Sequence, residues 1–107
     1  MDKKISIFYT LCGSSKKDAR SLAKKLLKFD QALCVNIINN VESLYLENKK
    51  VKSAKEIILI IKSMSSQKKI FKFIKEHHNY DIPFITKIKN ESVNEDYLIW
   101  AKSLNNK

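Results

Sequence analysis

The chain has 107 residues, enough for one domain with one hydrophobic core. It is 44% hydrophobic with one glycine and one proline, which excludes a disordered chain and predicts long regular elements joined by few turns. No run approaches the roughly 18–20 apolar residues of a membrane span. The N-terminal Met1-Asp2-Lys3-Lys4 is not followed by the apolar region of a signal peptide. We therefore expect a single domain over residues 1–107, located in the cytoplasm, with no membrane partner.

The formal net charge is +10, and Arg20 is the single arginine among 21 cationic side chains. Base and phosphate recognition favours arginine, because its planar guanidinium donates two parallel hydrogen bonds. Lysines also occur along the whole chain, so the charge favours a solvated surface. A face that binds polyanions stays open as an alternative.

The first third of the chain predicts a strand followed by a helix. Ile5 to Leu11 is rich in β-branched and aromatic residues, as strands are, and it ends at Cys12-Gly13. Ser15 stands where a helix N-cap is expected. Behind it, apolar residues recur at helical spacing, which predicts an amphipathic helix with a basic outer face: Ala19, Leu22, Ala23, Leu26 and Leu27.

The middle of the chain predicts two long strands. The first runs from Leu33 to Leu46 with a bulge at Asn39-Asn40, and the turn is Glu47-Asn48-Lys49-Lys50. The second runs from Val51 to Lys62. Its five consecutive aliphatic residues, 57–61, predict a central strand covered on both faces.

The last third predicts a helix, a strand and a helix. The first helix begins at Ser65 or Ser66 and ends at His78, Pro83 opens a strand over 84–89, and the final helix covers about 94–104. The order β-α-β-β-α-β plus a C-terminal helix predicts an α+β, ferredoxin-like split βαβ fold. We expect a four-stranded antiparallel sheet with a long central hairpin and helices on one face.

The length of the central hairpin predicts an oligomer. Strands of about 12–14 residues extend about 40–45 Å, whereas a domain of this size has a radius of gyration of about 13 Å. Apolar residues nevertheless continue to the tip, at Leu44, Leu46 and Val51. Another subunit could cover them and the open sheet edge. The alternative is a shorter hairpin with its turn at Asn39-Asn40.

Five segments in order resemble the pattern of the CutA divalent-cation tolerance family over about residues 5–104. They are Leu33-Cys34-Val35-Asn36-Ile37-Ile38, Ser43-Leu44-Tyr45, the run from Glu56 to Ser63, His78-Asn79-Tyr80-Asp81-Ile82-Pro83, and Tyr97-Leu98-Ile99-Trp100. The resemblance implies a ferredoxin-like homotrimer joined by the long hairpins. It also implies a role in tolerance of divalent metals, copper binding, and a similarity to signalling proteins that bind effectors between subunits.

The chain departs from this family pattern at several positions. Glu47 replaces an aromatic residue, Lys49 replaces the hairpin glycine, Lys52-Ser53-Ala54-Lys55 replaces an acidic stretch, Asn79 replaces a proline, and Phe84 replaces a glutamate. Lost carboxylates remove oxygen ligands that hard cations prefer. Metal binding through those positions is therefore not expected.

Cys34 and His78 are the candidate metal ligands, because thiolate and imidazole suit copper. The alternatives are a buried thiol for Cys34 and a helix-terminal position for His78 beside His77. Lys62, Tyr80 and Trp100 are the candidate lining of a cleft between subunits, where Lys62 would meet a small anionic effector. The alternative for Lys62 is a structural ion pair with Glu56 or Asp81 of a neighbouring subunit. Aromatic residues at such positions also serve as core or interface.

Catalysis finds no support in the sequence, which lacks a Ser/His/Asp spacing, a Gly-rich phosphate loop and an HExxH motif. We expect a protein that is not an enzyme, with no firm cofactor beyond copper or another divalent cation. The alternative function is a basic nucleic-acid-binding domain with exposed sheet aromatics. The aliphatic third strand makes a nucleic-acid partner the weaker interpretation.

Overall fold

The computed structural model describes residues 4–104. Their strands and helices follow in the predicted order: β1 Ser6–Cys12, α1 Lys16–Lys28, β2 Cys34–Glu47, β3 Lys50–Ser63, α2 Gln67–His77, β4 Ile85–Ile88 and α3 Glu95–Leu104.

The four strands form one antiparallel sheet in the order β2-β3-β1-β4. The connection from β1 through α1 to β2 passes over β3, and the connection from β3 through α2 to β4 passes over β1, which is the split βαβ arrangement of a ferredoxin-like fold. The predicted fold class is therefore confirmed. The strand over 84–89 is shorter than expected, covering Ile85–Ile88.

Both helices of the split βαβ unit begin at a serine cap. The Ser15 hydroxyl accepts a hydrogen bond from the Asp18 backbone N–H at 3.1 Å, as predicted. The Ser66 hydroxyl accepts from the Lys69 N–H at 3.3 Å, which selects Ser66 over Ser65 as the cap of α2. Each cap satisfies one of the four N–H groups that a helix start leaves without a partner.

The core lies between one face of the sheet and the helices α1 and α2. The sheet contributes alternate residues of β1 and β3, because successive side chains of a strand point to opposite faces. The fully buried residues of the core include Phe8, Leu59 and Ile61 from the strands, Leu26 from α1, and Ile70 and Ile74 from α2.

The opposite face of the sheet, which we call the open face, is covered less than the aliphatic run predicted. Ile58 and Ile60 of β3 are half-buried, whereas their neighbours Ile57 and Leu59 are buried. Within one chain, α1 and α2 cover one face alone. The third helix reaches the open face instead, since the Lys62 ammonium lies 5.5 Å from the centroid of the Tyr97 ring. We expect all helices on one face of the sheet from the sequence, and the structure differs, because α3 lies at the face opposite α1 and α2.

The β2–β3 hairpin is as long as the sequence indicates, with 14 residues in each strand. The predicted bulge is confirmed as a register shift between Ile38 and Val41. The turn lies at Asn48 and Lys49, both with positive φ, and not at Asn39-Asn40. The molecule is 50 Å long and 23–27 Å wide, because the outer half of this hairpin extends beyond the helices.

No helix among residues 4–104 has the length and apolar character needed to cross a membrane.

Candidate functional site

The predicted site residues lie at two ends of the sheet. At the first, the Lys62 end, Lys62 stands on the open face paired with Cys34 on β2 and with Ile7 on β1. Cys34 is a free, half-buried thiol, more accessible than a core cysteine. The rings of Tyr97 and Trp100 on α3 lie 5.2 Å apart, and Tyr97 is the ring under the Lys62 ammonium.

Among residues 4–104, no carboxylate oxygen lies within 4.0 Å of the Lys62 ammonium. The one ion pair at that distance in this part of the chain joins Lys52 to Glu47. The recorded partner of the Lys62 ammonium is the electron-rich face of Tyr97. Neither Glu56 nor Asp81 of the same chain neutralises it. The Lys62 end therefore presents a half-buried cation, a thiol and two aromatic rings on the open face of the sheet.

At the second, the Tyr80 end, the segment after α2 folds over the end of β1. The Tyr80 hydroxyl donates a hydrogen bond to the Glu56 carboxylate at 2.9 Å. Burial, followed by this hydrogen bond and the charge of Glu56, raises the pKa of Tyr80 to about 12. Tyr80 is therefore a neutral donor at physiological pH.

His78 uses both ring nitrogens for contacts within the chain. Its Nδ1 accepts a hydrogen bond from the Tyr80 N–H at 2.9 Å, and its Nε2 donates to the Leu11 carbonyl at 2.8 Å. Burial lowers the pKa of His78, against a smaller raising effect of the bond to Leu11. To bind a metal, the ring would have to break one of these hydrogen bonds.

Two further groups lie near the Tyr80 end. Cys12 is fully buried, and burial, together with the carboxylates of Asp18 and Glu56, raises the pKa of its thiol to about 11. Such a thiol is a poor nucleophile and a poor ligand at neutral pH. His77 stacks on Phe73 with ring centroids 4.2 Å apart, and its Nδ1 lies 2.9 Å from the Phe73 carbonyl oxygen, which places it on the apolar side of α2.

One chain does not bring the candidate residues together. Lys62 pairs with Ile7 near the start of β1, whereas His78 contacts Leu11 near its end, four residues or about 13 Å further along the strand. Lys62, Cys34 and Trp100 thus belong to one end, and Tyr80 and His78 to the other. Any cleft that contains Lys62, Tyr80 and Trp100 needs residues from more than one copy.

The same separation applies to metal binding. Across residues 4–104, no three His, Cys, Asp or Glu side chains are close enough to hold a metal ion. Cys34 and His78 are not neighbours, so the residues of one chain do not fit a shared copper site. A copper site built on Cys34 would need equivalent side chains from other subunits.

A cavity of about 450 Å³ lies beside the Lys62 end, between the start of β1, the end of β4 and α3. Its wall is basic at Lys4, Lys87 and Lys89, and apolar at Ile5 and Leu98. The sequence analysis did not identify this cavity, because its wall combines residues from opposite ends of the chain, 4–6 and 87–98. Tyr97 was also missed as a site residue, although its spacing of three from Trp100 places both rings on one side of α3.

Comparison with known proteins identifies the family. The model of the CutA1 divalent ion tolerance protein family matches residues 6–104. The chain is 32% identical over 99 residues to the chloroplastic protein CutA 1 of Oryza sativa, covering 92% of this chain and 56% of that one. It is 32% identical over 85 residues to the divalent-cation tolerance protein CutA of Thermococcus kodakarensis, covering 78% of this chain and 81% of that one. The chain thus spans about half the length of its plant relatives and most of the archaeal one.

Solved structures agree with these matches. The crystal structure of CutA1 from Oryza sativa has a TM-score of 0.84 at 30% identity and covers 92% of this chain and 91% of its own. CutA1 from Pyrococcus horikoshii has a TM-score of 0.80 at 32% identity, covering 94% and 96%.

The relative from Thermococcus kodakarensis is named for tolerance of divalent cations. The names of these relatives describe no catalysed reaction and do not favour the nucleic-acid alternative. Relatives are described as chloroplastic in rice and as periplasmic in Archaeoglobus fulgidus, so the cytoplasmic location stays a prediction. From the sequence match and the shared fold together, this chain belongs to the CutA1 divalent ion tolerance protein family.

Proposed function

We propose that this protein contributes to divalent-cation tolerance as a homotrimer, without catalysing a reaction. Its β2–β3 hairpins join the subunits, and the boundaries between them bind copper or a small anionic effector. The observation that carries the proposal is the uncovered apolar tip of the hairpin.

The hairpin tip supports the trimer. Leu44, Leu46 and Val51 are 67%, 73% and 71% exposed, and the tip lies beyond the reach of α1 and α2. Isolated apolar residues on a surface need no partner, but three on one two-stranded ribbon form a contiguous patch. The strand β2 is also at the edge of the sheet, with free backbone groups that another strand could pair.

The open face supports it independently. Ile58 and Ile60 are half-buried on the central strand, and Ile38, paired with Ile58 on β2, is exposed. A sheet face with this composition usually packs against another layer. Among residues 4–104, α3 contacts this face at its Lys62 end, through Tyr97. A second copy lying over the rest would bury it.

The trimer would also combine the two ends of the sheet. Lys62 and Trp100 of one subunit and Tyr80 of another would then line one cleft, where the unpaired Lys62 ammonium attracts an anion. Copies of Cys34, which are accessible on the open face, would supply thiolate ligands for copper where they converge. His78 enters as a ligand only if its ring leaves Leu11 and Tyr80.

Mass in solution tests the assembly. Light scattering at micromolar concentration should give about three times the mass of one 12.5 kDa chain. A monomer at that concentration would contradict the proposal.

Copper binding is tested separately by titration of the reduced protein. Cys34→Ser should weaken copper binding at least about tenfold, because it removes the soft ligand. Cys12→Ala is the matched control, since that thiol is buried and protonated. His78→Ala measures whether the imidazole contributes. Unchanged binding in both Cys34→Ser and His78→Ala would remove the metal proposal and leave the trimer standing.

A further inference from the structure

The net charge of the protein is concentrated on two helices. Together α1 and α2 contain ten cationic and two acidic side chains in 24 residues, a net charge of +8. The other 83 residues carry eleven cationic and nine acidic side chains, a net charge of +2. The solvated-surface interpretation assumes an even spread of lysines along the chain. They are instead concentrated in α1 and α2.

The fold places these charges on one surface. The helices α1 and α2 lie side by side on the same face of the sheet, with Leu26 and Ile74 turned into the common core. Helical periodicity places Lys24, Lys28 and Lys72 on the sides opposite that core. All ten cationic side chains are exposed: Lys16, Lys17, Arg20, Lys24, Lys25, Lys28, Lys68, Lys69, Lys72 and Lys75.

These cations are not neutralised by the chain. Within residues 4–104, the one ion pair with a nitrogen–oxygen distance of 4.0 Å or less joins Lys52 to Glu47 at the hairpin tip, away from both helices. The two acids of the helices, Asp18 and Glu76, leave most of the positive charge unbalanced. Unpaired like charges on adjacent helices repel each other and create a strong local potential. A surface of this kind attracts an extended anionic partner.

An exposed aromatic side chain lies at the end of the same surface. Phe29, the C-cap of α1, is 61% exposed. The Phe29 ring is held 5.9 Å from Phe73 of α2, so it is supported and not a free chain end. Lys28 precedes it in the sequence. An aromatic side chain beside lysines is typical of surfaces that lie in a lipid headgroup layer.

From these observations we infer that the outer surface of α1 and α2, with Phe29 at its end, docks onto membranes rich in anionic phospholipids. Nine of the ten cations are lysines, which attract phosphate as point charges without the bidentate geometry that reads nucleic-acid bases. Docking at a membrane surface does not require a membrane-spanning segment. The proposal therefore replaces the expectation, drawn from the sequence, that the protein has no membrane partner. It does not depend on the proposed metal or effector site.

Vesicle flotation tests this docking with the full chain. The probes are vesicles of phosphatidylcholine and vesicles in which phosphatidylserine replaces about a third of it. We expect binding to the anionic vesicles alone, with a steep loss as salt is raised from low to physiological levels. No binding to anionic vesicles at low salt would overturn the inference.

Charge variants locate the surface. Each basic residue near an anionic surface contributes roughly fivefold to partitioning, so K24Q/K28Q/K72Q should weaken it by more than about tenfold. The matched control K87Q/K89Q/K102Q removes three exposed lysines outside the two helices and should weaken it less than about threefold. An equal loss in both variants would show diffuse attraction and contradict a defined surface.

A further variant and a competing probe complete the test. Phe29→Ser should reduce partitioning about threefold or more at constant charge, and circular dichroism checks that α1 stays folded. If Phe29→Ser binds as the unchanged protein does, the apolar part of the inference is wrong. Tighter binding of a DNA duplex than of anionic vesicles, lost in the helix variant, would assign the surface to nucleic acid and overturn the inference.

Discussion

The two halves of the β2–β3 hairpin both carry apolar side chains, but their surroundings differ. In the inner half, alternate residues of β3 such as Leu59 are buried beneath α1 and α2. In the outer half, Leu46 and Val51 are paired across the ribbon and are 73% and 71% exposed. Both halves form well-paired strands, so strand formation does not need burial at each position. Burial depends on what lies over the strand, and in the outer half one chain supplies no cover.

The largest expected difference between the halves is in stability. Leu59→Ala should lower the free energy of unfolding by about 2–5 kcal/mol, because it removes packed methyl groups and leaves a cavity in the inner half. Urea denaturation at fixed protein concentration measures it. Leu44→Ala in the outer half is the comparison, and its effect should depend on protein concentration, because only other subunits would bury that side chain. A cost of less than about 1 kcal/mol for Leu59→Ala would show that the inner half is not the core.

The next test concerns assembly. Leu46→Ser combined with Val51→Ser should leave the secondary structure unchanged but lower the concentration-dependent stability of the trimer. Each buried side chain of this kind contributes about 1.5–3 kcal/mol, so dissociation should become easier by well over tenfold. Sedimentation over a dilution series measures this. If the mass is unchanged at every dilution, the tip is not the joining surface.

A smaller and opposite effect is expected at the turn. Lys49 adopts φ 64°, a left-handed conformation that costs a residue with a Cβ about 1 kcal/mol. Two-residue turns of this kind favour Asn-Gly, and Asn48 already occupies the first position. Lys49→Gly should therefore stabilise the protein by up to about 1 kcal/mol. Thermal unfolding of Lys49→Gly is compared with that of Lys50→Gly, which removes the same charge at a residue whose φ is not positive. Equal changes in stability for the two variants would show that relief of backbone strain is not the cause.

The smallest expected effect is a pH dependence located outside the hairpin, at the Tyr80 end of the sheet. The pKa of His78 is lowered in the folded protein, so the unfolded chain binds more protons between that value and the ordinary one near 6.5. Stability is complete above pH 6.5 and falls as the pH drops through the folded value. Protonated Nδ1 would face the Tyr80 N–H, which it can no longer accept.

Denaturation at pH 7 and pH 5 measures this effect. His78→Gln should reduce the loss of stability on acidification, and the adjacent His77→Gln serves as the control. The effect is small because His78 is only half-buried. An identical pH dependence in the unchanged protein and His78→Gln would show that another group is responsible.

The periodicity of the sequence predicts most of the fold. The serine caps, the helical spacing in α1 and the bulge after Ile38 agree with the structure, because each depends on local residues. The covered third strand is the clear exception. Five aliphatic residues in a row indicate burial on both faces, but a sequence pattern cannot distinguish cover from the same chain and cover from another.

The candidate site was less predictable. The residues Lys62, Tyr80 and Trp100 come from separate segments, and their separation on the sheet depends on register. The aromatic partner of Lys62 is Tyr97 on α3. No sequence pattern near α3 predicts that this helix packs against the open face. The intrachain hydrogen bonds of His78 to Leu11 and Tyr80 also join parts of the chain that only folding brings together.

The sequence by itself determined the strands, helices, caps and turns, because propensity, hydrophobic spacing and capping act within a few residues. Its motifs also identified the family. Only the tertiary structure decided which face of the sheet the chain covers, which end of the sheet each candidate residue occupies, and that α1 and α2 form one cationic surface. These properties depend on which residues lie side by side across the sheet and between helices, and neighbours of that kind are distant along the chain.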